Sequence, residues 1–79
     1  MIKNNFQKTI ETLYSRKEDN IQRLSKGSYE ELFELRRLYF QIYTEAEEEC
    51  NKEAAKIRYL KYLIVDEAIE VKEYNDNQA

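Results

Sequence analysis

The sequence predicts an all-α fold, and three observations carry that prediction. Apolar residues recur at spacings of three and four rather than two. The 79 residues include one Gly and no Pro, so the residues that punctuate strands, hairpins and phosphate-binding loops are nearly absent. The single Gly stands beside a Ser, at Gly27 and Ser28, where a helix end and a helix start coincide. The architecture expected is an antiparallel helical hairpin with a long or kinked second helix, with a compact three-helix bundle as the alternative. A chain of this length forms one domain, 1–79.

The first helix is expected over about 3–26. Ile2, Phe6, Ile10, Leu13, Ile21 and Leu24 form one stripe. The stripe fades between Ser15 and Asn20, where the helix would fray or break, and so weak an amphipathic helix needs a partner to be stable.

The turn is expected at 27–28. Gly27 can adopt the left-handed conformation that closes a helix, with Lys26 against the negative end of the dipole. Ser28 then caps the next helix, and Glu31 stands where a capping box requires it.

The second helix is expected over about 29–72, with a frayed tail at 73–79. Leu32, Leu35, Tyr39, Ile42, Ala46, Cys50, Ile57, Leu60, Ile64, Ala68 and Val71 stay on one face, which favours a continuous helix of about 66 Å. A competing signal is Thr44-Glu45-Ala46-Glu47, a second capping-box pattern followed by more glutamates, which suits a helix start. A break would therefore fall near 44–52, although no Gly or Pro is there to make it.

Both apolar blocks of this second arm are wider than one packing face. Phe33 and Phe40, with Arg37 between them, stand off the main stripe, and so do Tyr62, Val65 and Ile69. In the hairpin, the first helix reaches only the first block. That leaves 57–71 for a second chain, which predicts a homodimer through a coiled coil. Seven Tyr in so short a chain agree with an interface, where Tyr is enriched. The partner-binding or oligomer face expected is Phe33, Arg37, Phe40, Tyr59, Tyr62, Val65 and Ile69.

Composition narrows the chemistry. With no His and one Cys, the usual metal sites, Ser-His and Cys-His nucleophile pairs and internal disulfides have no residues to build them. Glu45, Glu47, Glu48, Glu49 and Glu53 read as a solvated helix face, and Cys50 as a small hydrophobe. No catalytic residue, metal or cofactor is expected, and the chain is expected not to be an enzyme.

Residues 1–27 carry six Lys/Arg against three Asp/Glu, while 28–79 carry seven against thirteen. The cations Lys3, Lys8, Arg16, Lys17, Arg23 and Lys26 are spread at helical intervals rather than clustered. Pairing with the acidic half is therefore favoured over nucleic acid, which remains the alternative partner class. No stretch approaches the ~18 apolar residues of a membrane span, and the polar start is not a signal peptide, so a cytoplasmic protein without a membrane partner is expected. Lys, Asn, Ile, Tyr and Phe number 31 against 11 Gly, Ala, Arg and Pro, a coding bias pointing to a low-GC bacterium or its phages and plasmids. The function expected is a small non-enzymatic regulatory factor, such as a phage or plasmid accessory protein or inhibitor, which presents an apolar, tyrosine-bearing helical face to a protein partner.

Overall fold

The computed structural model describes residues 4–78; Ile2 and Lys3 of the expected first helix, and Ala79, lie outside the described residues. The fold is all-α, with no strand among the described residues. Its helices are α1 (Asn5–Ser15), α2 (Lys17–Leu24), α3 (Tyr29–Glu48) and α4 (Lys52–Gln78).

Asn4 caps α1, its side-chain oxygen accepting from the Gln7 N–H at 2.8 Å. The expected first helix is two helices, separated at Arg16 (φ −104°, ψ 7°). The Arg16 N–H still reaches the Thr12 carbonyl at 3.0 Å and the Arg16 carbonyl accepts from Asn20 at 2.9 Å. The break is thus a one-residue kink, inside the polar stretch where apolar contacts are too sparse to hold a straight helix.

Ser28 caps α3 as expected, with φ −74°, ψ 155° and its Oγ accepting from the Glu31 N–H at 3.1 Å. Gly27 does not take the left-handed conformation, since no glycine here has positive φ. Its N–H instead closes a tight turn on the Leu24 carbonyl at 2.9 Å. A Cβ at Gly27 would stand 3.3 Å from that same carbonyl oxygen, so close approach is what favours glycine there.

The continuous second helix is not formed: the chain reverses at 49–51, and α4 returns along α3. The Asn51 N–H bonds the Ala46 carbonyl at 2.9 Å and the Cys50 N–H bonds the Glu47 carbonyl at 3.0 Å. That pair of bonds is a Schellman motif, which needs a left-handed residue at its corner. Cys50 supplies it, with φ 59°. Asn51 then caps α4, its side-chain oxygen accepting from the Ala54 N–H at 3.1 Å. Thr44, the capping residue expected, lies inside α3 with its hydroxyl donating to the Phe40 carbonyl at 2.9 Å. The glutamates after it therefore stand at the negative end of a helix dipole, where they are electrostatically unfavourable.

A left-handed conformation costs an L-residue about 1–2 kcal/mol, and Cys50 is exposed. Replacing Cys50 by Gly relieves that strain while loosening the unfolded chain. A net gain of about 0.5–1 kcal/mol is expected, read as a rise of a few degrees in Tm. An unchanged or lowered Tm would contradict a left-handed corner at this position.

α3 and α4 are antiparallel, as the pairings Tyr29 with Asp76, Arg36 with Asp66 and Tyr43 with Tyr59 establish. On the other flank of α4, Leu13 lies beside Leu60 and Ile64, and Lys17 pairs with Glu67 at 3.3 Å. So the first arm packs mainly on the second apolar block, reaching the first at Leu32, Leu35 and Tyr39, and α4 lies between two neighbours. The molecule is flattened, 47 × 30 × 13 Å, with a radius of gyration of 14.0 Å where a compact chain of this length would have about 12 Å. Three helices packed as a triangle would give similar width and thickness. The central position of α4 explains its wide apolar surface.

The core lies where α2, α3 and α4 meet, with Ile21, Leu32, Ile64, Val65, Ala68 and Ile69 buried together. Near the 49–51 turn, buried Ala46 and Ala55 let α3 and α4 approach closely. α4 continues to Gln78, so the tail expected to fray from residue 73 is helical through its described part. The Tyr29 hydroxyl donates to Asp76 at 2.6 Å and Lys72 stands 4.8 Å over the Tyr29 ring, which ties that end down.

Candidate docking face

Along α3, Tyr29, Phe33, Arg36, Phe40 and Tyr43 follow one another at spacings of four, three, four and three, one row of the helix. Tyr59 and Tyr62 of α4 meet that row from across the seam. The ring centroids of Phe40 and Tyr43 are 6.0 Å apart, Tyr43 and Tyr59 5.1 Å, Tyr59 and Tyr62 5.9 Å, and Tyr62 and Phe40 5.5 Å. The four rings close a cycle across the two helices, within the range where aromatic pairs attract beyond their area burial. Towards the start of α3 the row continues through Phe33 and Tyr29, 5.9 Å apart. The Arg36 guanidinium lies 5.2 Å over Phe33 while bonding Asp66 at 2.9 Å. This ribbon of rings follows the α3–α4 seam for about 21 Å.

Much of it faces solvent: Phe33 is 44% exposed, Phe40 49% and Tyr59 41%. Burying such rings is worth about 1.5–3 kcal/mol each for a large apolar side chain, and the fold leaves much of that gain unrealised. At the turn end the ribbon opens into a cleft of 370 Å³ between Tyr43, Glu47, Lys52, Lys56 and Tyr59.

Of the face expected from sequence, the structure brings together Phe33, Phe40, Tyr59 and Tyr62. Arg37 stands exposed beside them, paired with Glu34 rather than with a ring. Val65 and Ile69 do not belong to the face, being 1% and 2% exposed within the chain's own core. Their row looked surplus because one packing face was allotted to α4, which in fact packs on both flanks. Tyr29, Arg36 and Tyr43 are the members that sequence reasoning missed, although their spacing on the Phe33 and Phe40 row was there to find them.

The chain matches no known protein family, curated protein or solved structure. The hydrogen bond to Asp76 pushes the Tyr29 hydroxyl up to about 12, and the Glu47 carboxylate beside Tyr43 raises that hydroxyl too. A phenol held in its neutral form by a carboxylate is a poorer acid, so neither is tuned for proton transfer near neutrality. Among the described residues, no three His, Cys, Asp or Glu are grouped to hold a metal ion. No helix among the described residues is long and apolar enough to cross a membrane. In the basic first arm, Lys17 pairs with Glu67 and the Arg23 guanidinium donates to the Asn20 side chain at 2.9 Å. What the arrangement can do chemically is bury rings against another surface.

Proposed function

We propose that this protein is a small non-enzymatic association factor, regulatory or accessory in kind, which works by docking the aromatic face of α3 and α4 onto a protein surface. The observation that carries this reading is the aromatic row of Phe33, Phe40, Tyr59 and Tyr62 along the α3–α4 seam, in which Phe33, Phe40 and Tyr59 are nearly half exposed. Rigid aromatic rings supply large contact area at low conformational-entropy cost, and interface hot spots are enriched in such residues. Arg36, held between Phe33 and Asp66, adds the positioned polar group that fixes register at such a surface.

The test is affinity capture from the protein's own cells with three baits: the wild type, Phe40→Glu with Tyr59→Glu, and Leu38→Glu. Leu38 is 50% exposed and stands on α3 about half a turn away from the ribbon. The reading expects a protein that co-purifies with the wild type and with Leu38→Glu and is lost from the ribbon variant. Equal recovery on all three baits would overturn it.

A further inference from the structure

Through the aromatic centre of α4 runs a row the ribbon does not fully use: Lys52, Lys56, Tyr59, Leu63, Asp66, Glu70 and Glu73. Their spacings alternate four, three, four, three, four, three, the repeat of a seam between two helices. None of the seven is fully buried. Lys52, Lys56, Glu70 and Glu73 have no ion-pair partner among the described residues. The row is thus cationic at one end, apolar in the middle and anionic at the other.

This order is self-complementary about a twofold axis at residues 62–63. Turning a second α4 end for end over the first sets Lys52 opposite Glu73 and Lys56 opposite Glu70. Tyr59 then faces Asp66, while Tyr62 and Leu63 meet at the axis. A parallel seam would instead set Lys on Lys and Glu on Glu. On one side of the row stand Phe40 and Phe33; on the other is Tyr14, 58% exposed beside Leu60 and Leu63. The flattened molecule, 47 by 30 Å in its broad dimensions, offers ample room for the about 800 Å² per partner that a stable complex buries.

We infer that the surface this aromatic face docks on is the same face of a second copy, in an antiparallel twofold dimer seamed along α4 with Lys52 and Lys56 against Glu73 and Glu70. The inference rests on the docking reading above and names the occupant. It differs from the dimer expected from sequence, because Val65 and Ile69 take no part, while Lys52, Lys56, Leu63, Glu70 and Glu73 join Tyr59 and Tyr62 in the seam. An isologous contact of this kind closes on itself and does not propagate.

Four light-scattering measurements and one distance test it. The wild type should have twice the 9.6 kDa chain mass. Lys52→Glu with Lys56→Glu, and separately Glu70→Lys with Glu73→Lys, should each raise the dissociation constant at least about 30-fold, because like charges then face each other. All four positions are exposed, and circular dichroism should show both variants folded. Mixing the two variants should restore a dimer of wild-type strength. A spin label on Cys50 should report a partner label about 38 Å away, whereas a parallel seam would bring the labels close together. A monomeric wild type, or a mixture that fails to associate, overturns the second-copy occupant. If the wild type is monomeric and the ribbon variant still loses a captured protein, the docking reading stands and only this inference falls. If association persists unchanged in Phe40→Glu with Tyr59→Glu, both fall.

Discussion

Replacing Ile69 by Ala lowers the stability of the folded chain by about 3 kcal/mol, within the usual range for truncating a buried aliphatic side chain. Ile69 is 2% exposed and packed in one cluster with Ile21, Leu32, Val65 and Ala68. A flat three-helix layer has little other core to redistribute the loss, and a chain this small has a total stability of only about 4–12 kcal/mol. The loss is therefore a large share of the whole. Chemical denaturation followed by circular dichroism measures it, with a fall in the midpoint and little change in slope. A change under about 1 kcal/mol would mean that Ile69 faces outwards, as the sequence pattern alone suggests.

Replacing Phe40 and Tyr59 together by Ser has the opposite profile. Both rings are already nearly half exposed, so their removal costs about 1 kcal/mol of stability or less, mainly through lost ring pairs with Tyr43 and Tyr62. The effect on association is far larger. Central aromatic residues of an interface contribute about 2 kcal/mol or more each on truncation, so the pair should weaken association by at least about 100-fold. Sedimentation or light scattering across a dilution series reads this for self-association, and the capture experiment reads it for any other partner. Unaltered association with normal helicity would show that the ribbon is a structural surface only.

The contrast between Ile69 and Phe40 shows how far the sequence could be read. Helix type, the Ser28 cap and the placing of Phe33, Phe40, Tyr59 and Tyr62 on an aromatic face followed from spacing alone, because a 3.6-residue period fixes which side chains share a row. The reversal at 49–51 followed only as the alternative, a break near 44–52 set against a continuous helix. Its left-handed corner is a Cys rather than the Gly or Asn that normally marks a Schellman motif, so the strain is hidden from any reading by residue type. Asn51 was the legible half, a capping residue ahead of Lys52 and Glu53. The preference for a continuous helix then propagated. A straight second arm gives α4 one neighbour, which makes Val65 and Ile69 surplus; a returning α4 has two neighbours and buries them. The acidic run at 45–49 misled for a related reason, since glutamates favour a helix start by about 0.3–1 kcal/mol each, too little to outweigh the apolar packing of Ala46, Ala55 and the rings beyond.

Hydroxyl-radical footprinting of the associated protein against the dissociated monomer shows whether the aromatic ribbon is the docking face, because it reads side-chain exposure ring by ring. Phe33, Phe40, Tyr59 and Tyr62 should lose labelling on association, while Leu38 on the far side of α3 is labelled equally in both states. Protection of Leu38, with the four rings labelled as in the monomer, would contradict that placement.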